Sequence, residues 1–202
     1  FEQVNMEEIF CGNGAAELFF AAVQTVWPQK ALVIAPSFSE YEEALRSVGA
    51  EVEYYYLCEE DNFQIREDYV DKLSEEIDMI FLCNPNNPTG QTIDRDMLIK
   101  ILDRCKKQNI VVILDECFLE FLDEPNRYEM SNLRGEYPNL LIIKAFTKIF
   151  SMPGLRLGYA ISSNQDILEE MSWKLQQWNV SVPAQMAGVA ALEKPKEYIR
   201  QT

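Results

Sequence analysis

The most informative absence in this sequence of 202 residues is histidine, which does not occur at all. Without an imidazole, the protein cannot build a Ser-His-Asp or Cys-His catalytic arrangement, and it cannot ligate zinc or haem through histidine. Acid–base chemistry would therefore depend on a carboxylate, lysine, tyrosine, cysteine or bound cofactor. We expect no metal site.

Positive charge is also scarce, since 18 lysines and arginines stand against 33 aspartates and glutamates and leave a net charge of −15. Nucleic acids and anionic membranes are bound through basic surfaces, so we expect neither as a partner. The sequence shows no apolar run long enough to span a bilayer and no signal peptide. Its five scattered cysteines form no C-x-x-C pair. This pattern favours the reducing cytoplasm, with the cysteines as small buried apolar residues.

Short apolar runs alternate with amphipathic stretches along the chain, and no flexible linker divides it. The runs predict buried strands at residues 31–35, 52–57, 79–83, 110–114, 140–144 and 159–162. The stretches between them predict helices near residues 18–26, 39–48, 66–75, 94–107, 165–177 and 183–192, with Asp94 capping its helix. Strands of this kind separated by helices predict a three-layer α/β/α fold with a mostly parallel sheet.

Ligands of parallel sheets bind at the carboxyl ends of the strands, so the residues that follow each apolar run are candidates for a site. They are an aromatic ring, a carboxamide, a carboxylate, and a lysine beside a hydroxyl: Phe38, Asn87, Asp115, Lys148 and Thr147. Each alone has an ordinary explanation as a turn, a helix cap or a surface group. Their occurrence together at one predicted edge favours a binding site.

Two further segments have features of anion sites. The run Gly14-Ala15-Ala16 precedes an apolar helix, and small residues there let backbone N–H groups approach a negative charge. Glu17 stands at the third glycine position of the dinucleotide-binding fingerprint and excludes that motif. Arg156, just before a predicted strand, could hold a phosphate through two hydrogen bonds. A simple turn and a surface arginine are the alternatives. A phosphorylated aromatic aldehyde would use all of these groups, and pyridoxal 5'-phosphate is such a molecule.

At this point the motifs resemble those of the class I/II aminotransferase family, the fold-type-I pyridoxal-phosphate enzymes, over essentially the whole chain. The resemblance is based on four segments in order: Asn84–Gly90, Asp115–Phe118, Phe146–Lys148 and Gly154–Tyr159. It implies that this is the cofactor-binding large domain of such an enzyme.

The resemblance also implies a role for each candidate residue. Lys148 would form the internal aldimine with the cofactor and move the Cα proton of the substrate. Asp115 would pair with the pyridine nitrogen, Asn87 would bond the phenolic oxygen, and Phe38 would stack on the ring. The cofactor phosphate would be bound by Arg156, Thr147 and the backbone amides of Gly14, Ala15 and Ala16.

Within the family, the sequence resembles threonine-phosphate decarboxylases first and histidinol-phosphate aminotransferases second. Phe118 stands where most members have a tyrosine that donates a hydrogen bond to the phenolic oxygen. Losing that donor makes efficient transamination less expected and fits the decarboxylases. The resemblance therefore implies an enzyme acting on a small, phosphorylated amino acid. A non-catalytic doubly wound ligand-binding module would explain the sheet and the Gly14 turn, but not the spacing of Lys148 and Arg156.

Members of the family have further segments at both ends. A C-terminal small domain supplies an arginine for the substrate carboxylate, and the partner in a homodimer supplies a tyrosine to the phosphate. We therefore expect residues 1–202 to be the large domain of a homodimeric enzyme, without the N-terminal segment and the small domain. The start at Phe1 agrees with this expectation. Alone, the domain is expected to have little or no turnover.

Overall fold

The computed structural model describes residues 1–199, so the last three positions of the domain predicted over residues 1–202 lie outside the described residues. The strands are β1 (Ile9–Gly12), β2 (Lys30–Ala35), β3 (Glu51–Tyr56), β4 (Met79–Cys83), β5 (Val111–Asp115), β6 (Leu140–Ala145) and β7 (Gly158–Ile161). The helices are α1 (Ala15–Val26), α2 (Glu40–Ser47), α3 (Asp68–Lys72), α4 (Arg95–Gln108), α5 (Phe146–Ile149), α6 (Gln165–Lys174), α7 (Val182–Glu193) and α8 (Pro195–Ile199). None of these described helices combines the length and the apolar character needed to cross a lipid bilayer.

The seven strands form one sheet in the order β1-β7-β6-β5-β4-β2-β3. Strand β2 runs parallel to β3 and β4, β4 runs parallel to β5, and β5 runs parallel to β6. Strand β7 is antiparallel to both β1 and β6. The sheet is mostly parallel, and the predicted α/β fold is confirmed.

The sheet is buried on both faces, as strand β4 illustrates. Because side chains alternate along a strand, Met79, Phe81 and Cys83 pack into one apolar cluster, whereas Ile80 and Leu82 pack into another. The first cluster includes side chains of α1, α2 and α6, and the second includes side chains of α3, α4 and α7. Burying a side chain of the size of Phe81 stabilises the fold by about 1.5–3 kcal/mol. Two helical layers therefore enclose the sheet.

Local details differ from the sequence predictions. Strand β1 was not predicted, because its four residues form no long apolar run and only Gly12 among them is buried. Helix α3 is shorter than the predicted 66–75 and ends at Lys72. The acidic pair Glu75–Glu76 at its predicted C-terminus opposes the helix dipole. Asp94 occupies the N-cap position of α4 as predicted, but its side chain makes no capping hydrogen bond.

The cysteines only partly follow the prediction of small buried residues. Cys83, Cys105 and Cys117 are buried, whereas Cys11 is exposed and Cys58 is half-buried. The prediction is therefore wrong for Cys11 and Cys58, which lie on β1 and on the loop after β3 rather than in central strands or helices. All five thiols are free in the described chain.

Candidate active site

The topology of the sheet explains why distant segments meet at one edge. The parallel strands β2, β4, β5 and β6 all end there. Because β7 is antiparallel to both β1 and β6, strand β1 ends at this edge as well. Gly158 at the start of β7 pairs with both Gly12 and Ala145. The turn before α1 is thereby placed beside the segment after β6.

A cavity of about 150 Å³ lies among these strand ends. Its lining contains all but one of the predicted site residues, and Gly14 is the exception. The lining residues are Ala15, Ala16, Phe19, Phe38, Asn87, Asp115, Cys117, Phe118, Ala145, Thr147, Lys148, Pro153 and Arg156. The residues proposed from sequence are therefore close together in the fold.

Asp115 is the buried carboxylate of the cavity, with only 5% of its surface exposed. Its Oδ2 accepts a hydrogen bond from the hydroxyl of Tyr41 at 2.6 Å, and its Oδ1 accepts one from the backbone N–H of Cys117 at 2.9 Å. Burial raises the pKa of Asp115 above its usual value, and the hydrogen bonds from Cys117 and Tyr41 only partly oppose that rise. A cationic group placed in the cavity would favour the ionised carboxylate.

The N-terminus of α1 provides backbone donors. Gly14 is the N-cap residue, and its φ of +89° lies in the region that favours glycine. A Cβ added to Gly14 would lie 2.7 Å from Nη2 of Arg156, so the guanidinium occupies the space that a side chain would need. The N–H groups of Ala15 and Ala16 lie in the first helical turn, where no helix carbonyl is available to them. This arrangement suits an anion.

Arg156 has an unusual backbone. Its φ of +56° lies in the left-handed region, which costs a residue with a side chain about 1–3 kcal/mol. Its Nη1 donates to the carbonyl oxygen of Pro153 at 3.3 Å. Strain of this kind persists where the surrounding structure imposes it, and it is concentrated at functional sites. The turn brings the guanidinium next to Gly14.

Close packing holds the Gly14 turn against the sheet. A Cβ on Gly158 would lie 2.8 Å from both the carbonyl carbon of Gly14 and the backbone N of Ala15. On the other side, Oε2 of Glu17 accepts from the backbone N–H of Asn13 at 2.6 Å and from the side-chain amide of Asn179 at 2.7 Å. Glu17, which excludes the dinucleotide motif, thus fixes the turn.

The loop with Asn87 is tied to the segment with Phe38. The side-chain amide of Asn86 donates to the carbonyl oxygen of Pro36 at 3.1 Å and to the hydroxyl of Thr89 at 2.9 Å. These contacts place Asn87 and Phe38, both half-buried, in the wall of the same cavity.

Lys148 lies in the short helix α5 and is exposed toward the cavity. Its Nζ lies 5.8 Å from the centre of the Phe118 ring. Thr147 precedes it in the same lining. The amine of Lys148 therefore lies beside the face of the Phe118 ring. Phe118 stands where the family resemblance implies a tyrosine hydroxyl.

A second lysine, Lys144 in β6, has the opposite surroundings and does not line this cavity. Its Nζ lies 3.2–3.7 Å from carboxylate oxygens of four glutamates: Glu2, Glu116, Glu120 and Glu129. Burial lowers the pKa of Lys144, but the carboxylates raise it by more, so its pKa lies above the usual value. This lysine stays charged.

Sequence reasoning missed several residues of the cavity. The same reasoning gave no role to Tyr41, which lies outside the lining and whose contact with Asp115 joins residues 74 positions apart. Four further lining residues lie within three positions of a predicted site residue: Phe19, Cys117, Ala145 and Pro153. That proximity was the available indication, but it does not tell which neighbours face the cavity.

A second cavity of about 310 Å³ shares Asn87 and Phe118 with the first. Its lining consists of Pro85, Asn86, Asn87, Pro88, Gly90, Phe118, Phe121 and Leu122. The two cavities thus have a common wall.

The chain matches the family model described as aminotransferase class I and II over residues 2–202. It therefore belongs to the class I and II aminotransferase family, and the resemblance inferred from the sequence is confirmed. The fold and the cavity at the carboxyl edge of the sheet agree with this membership.

Two enzymes illustrate its similarity to curated proteins. Threonine-phosphate decarboxylase of Salmonella typhimurium is 36% identical over 191 residues, which are 95% of this chain and 52% of that protein. Histidinol-phosphate aminotransferase of Desulfitobacterium hafniense is 37% identical over 205 residues, which are 98% of this chain and 55% of that protein. The chain spans about half the length of the curated relatives it matches.

Solved structures of the same two kinds of enzyme share the fold. Histidinol-phosphate aminotransferase from Clostridium acetobutylicum has a TM-score of 0.87 at 35% identity, over 96% of this chain and 56% of that one. L-threonine-O-3-phosphate decarboxylase from Porphyromonas gingivalis has a TM-score of 0.84 at 26% identity, over 99% of this chain and 58% of that one.

Proposed function

We propose that the cavity binds pyridoxal 5'-phosphate and that the chain forms the cofactor-binding part of an amino-acid-transforming enzyme. The observation that most supports this proposal is that one cavity is lined by an amine, a buried carboxylate and a guanidinium, from Lys148, Asp115 and Arg156. Arg156 also lies against the helix N-terminus at Gly14. These groups match the aldehyde, the ring nitrogen and the phosphate of that cofactor.

Each residue has a distinct task in this proposal. Arg156, Thr147 and the first amides of α1 hold the phosphate, and Phe38 covers one ring face and excludes water from it. Asp115 holds the proton on the ring nitrogen, and Asn87 donates to the ring oxygen. When bound, the cofactor supplies an electron-withdrawing ring that stabilises negative charge on the substrate Cα. Lys148 would hold the cofactor through Nζ, and the same amine, once the substrate amine has displaced it, would move the proton at Cα.

We further propose that the reaction is decarboxylation of a small phosphorylated amino acid such as threonine phosphate. The aromatic ring of Phe118 beside Lys148 supports this choice, because it offers no hydroxyl to the ring oxygen. The similarity to a threonine-phosphate decarboxylase supports it as well. Amino transfer from histidinol phosphate is the second candidate, supported by the similarity to a solved histidinol-phosphate aminotransferase.

The substrate carboxylate requires cationic groups beyond those used for the cofactor. We propose that they lie outside these 202 residues, that the complete enzyme is a homodimer, and that this chain alone has little or no turnover. The span of about half the relatives' length supports this proposal. Robust steady-state activity of the chain on threonine phosphate or histidinol phosphate would overturn it.

Cofactor binding is tested by titrating the protein with pyridoxal 5'-phosphate and recording its absorbance. The absorbance band of the cofactor should shift from its position in the free cofactor when the protein binds it. This shift should be lost in Lys148→Ala, because the proposal attaches the cofactor aldehyde to Nζ of Lys148 alone. Lys107→Ala, at an exposed position on α4, serves as the matched control and should bind like the parent. Nucleotide binding that persists in Lys148→Ala, without any cofactor absorbance, would instead favour a non-catalytic module.

The reaction type is tested with the full-length enzyme that contains this chain. Threonine phosphate should release carbon dioxide, and histidinol phosphate should give little keto product. Keto product from histidinol phosphate without release of carbon dioxide from threonine phosphate would favour the transaminase.

A further inference from the structure

Both carboxylate oxygens of Asp115 are held by donors of the chain itself. The Tyr41 hydroxyl donates to Oδ2 at 2.6 Å, and the backbone N–H of Cys117 donates to Oδ1 at 2.9 Å. The backbone N–H of Cys117 is only two residues after Asp115, so the course of the loop after β5 places this donor. The Tyr41 hydroxyl comes from a different element, α2, and this hydrogen bond requires a tyrosine at position 41.

Packing fixes where the Tyr41 hydroxyl lies. The side chain is fully buried, and its ring stacks on Phe81 with centroids 4.9 Å apart and an interplanar angle of 19°. Phe19 and Phe38 meet the same ring edge-on, at 5.1 and 5.7 Å. A ring held on three sides has little rotational freedom, so its hydroxyl keeps a single position relative to Asp115.

Phe38, a proposed wall of the cofactor cavity, is one of these three neighbours. Tyr41 itself does not line the cavity, and so it acts on anything bound there only through its neighbours. Its hydroxyl reaches the carboxylate from behind the cavity wall.

The surroundings of Asp115 make this hydrogen bond important. Burial disfavours the charged carboxylate, and a hydrogen bond to the charged form opposes that effect. The titratable groups that interact with it come from α2, β4 and the loop after β5, and they are Tyr41, Cys83 and Cys117. The charged side chains of Lys148 and Arg156 line the same cavity. Burial and the nearby carboxylate keep the pKa of the Tyr41 hydroxyl well above its usual value, so it remains a donor.

We propose that Tyr41 is a positioning residue that acts through Asp115: its hydroxyl directs the carboxylate toward the cavity and favours its ionised form, so that Asp115 can hold the proton on the ring nitrogen of the cofactor. The cofactor half of this proposal rests on the proposed function. The effect of Tyr41 on Asp115 does not depend on it.

The test uses Tyr41→Phe, which keeps the buried ring and removes only the hydroxyl. The chain offers a matched control in Tyr55→Phe. The hydroxyl of Tyr55 also donates to a carboxylate at 2.6 Å, Oδ1 of Asp68, but neither residue lines the cofactor cavity. Thermal unfolding of both variants measures how much stability the fold loses when a tyrosine hydroxyl is removed.

The first measurement follows the Asp115 carboxyl by ¹³C NMR in the cofactor-free protein, with Asp115→Asn used to assign the signal. Tyr41→Phe removes a hydrogen bond to the charged carboxylate, so the acid dissociation constant of Asp115 should fall about tenfold in this variant. In Tyr55→Phe the constant should stay unchanged. An unchanged titration in Tyr41→Phe overturns the proposal, whatever the cofactor does.

The second measurement is the dissociation constant for pyridoxal 5'-phosphate. It should rise about tenfold in Tyr41→Phe and stay unchanged in Tyr55→Phe. In the Asp115→Asn background, Tyr41→Phe should cause no further loss, because the partner of the hydroxyl is already altered. An equal further loss there shows a merely structural role and overturns the proposal. If the parent protein does not bind the cofactor, the proposed function fails, while the NMR titration still decides whether Tyr41 acts on Asp115.

Discussion

Two nearby lysines show how the surroundings of a single side chain set its chemistry. Lys144 is 3% exposed and contacts four glutamates, which keep it protonated and therefore unreactive toward an aldehyde. Lys148 reaches the cavity and lies beside the ring of Phe118. At the scale of residues, only the second lysine is placed to react with a carbonyl ligand.

Arg156 provides a test at the same scale. Replacing Arg156 with lysine removes the paired, planar donors that suit a phosphate, and we expect the dissociation constant for pyridoxal 5'-phosphate to rise about tenfold. An absorbance titration measures it. Arg46→Lys, at an exposed position on α2, should bind like the parent. Equal affinities of the Arg156 variant and the parent would argue against a phosphate at this guanidinium.

At the scale of elements, the site depends on one antiparallel strand in a mostly parallel sheet. Strand β7 lies between β1 and β6, and Gly158 at its start leaves room for the turn before α1. The anion-binding turn and the lysine helix α5 are thereby brought to one edge. Strand β7 therefore brings residues that are far apart in the sequence, such as Ala15 and Lys148, into one cavity.

Gly158→Ala tests this arrangement. The added Cβ would lie 2.8 Å from backbone atoms of Gly14 and Ala15, which must move to accommodate it. We expect a loss of about 1–3 kcal/mol in the free energy of unfolding, together with weaker cofactor binding. Urea unfolding and the absorbance titration measure the two effects. Gly135→Ala, where nothing lies within 4 Å of the new atom, is the control and should leave both unchanged. If the Gly158 variant also leaves both unchanged, the turn is not held by this contact.

The apolar strands and the strand-end residues were predictable because both depend on local patterns. Continuous runs such as the one in β4 are buried on both faces, and polar residues directly after them must lie at the ligand-binding edge. Strand β1 and the antiparallel pairing of β7 were not predictable, because both strands have only four residues and their pairing is long-range. The contact of Tyr41 with Asp115 is hidden for the same reason.

At the scale of the whole molecule, the excess of acidic residues extends into the interior. Glu116 is fully buried beside Lys144, and burial raises its pKa to about 8 although Lys144 lowers it. Its Oε1 accepts from the backbone N–H of Met130 at 3.2 Å. The folded protein thus keeps a proton on Glu116 at pH values where the unfolded chain has lost it.

This difference predicts how stability depends on pH. Between the ordinary value of 4.5 and about 8, the folded state binds more protons at Glu116 than the unfolded state, so stability falls as the pH rises. Glu116→Gln removes this dependence. The difference in the free energy of unfolding between the variant and the parent should therefore change by up to about 1.4 kcal/mol per pH unit in that window. Urea unfolding at pH 5 and pH 8 measures it, with Glu170→Gln on the exposed face of α6 as the control. Parallel pH curves for the Glu116 variant and the parent would contradict the prediction.

The central claim, a pyridoxal-phosphate site built around Lys148, is tested most directly by reducing the protein with borohydride after incubation with the cofactor and mapping the labelled peptide. The account predicts a reduced cofactor on Lys148 and none on the buried Lys144 four residues before it in the sequence. A label on Lys144 or on surface lysines alone, or no label at all, would contradict it.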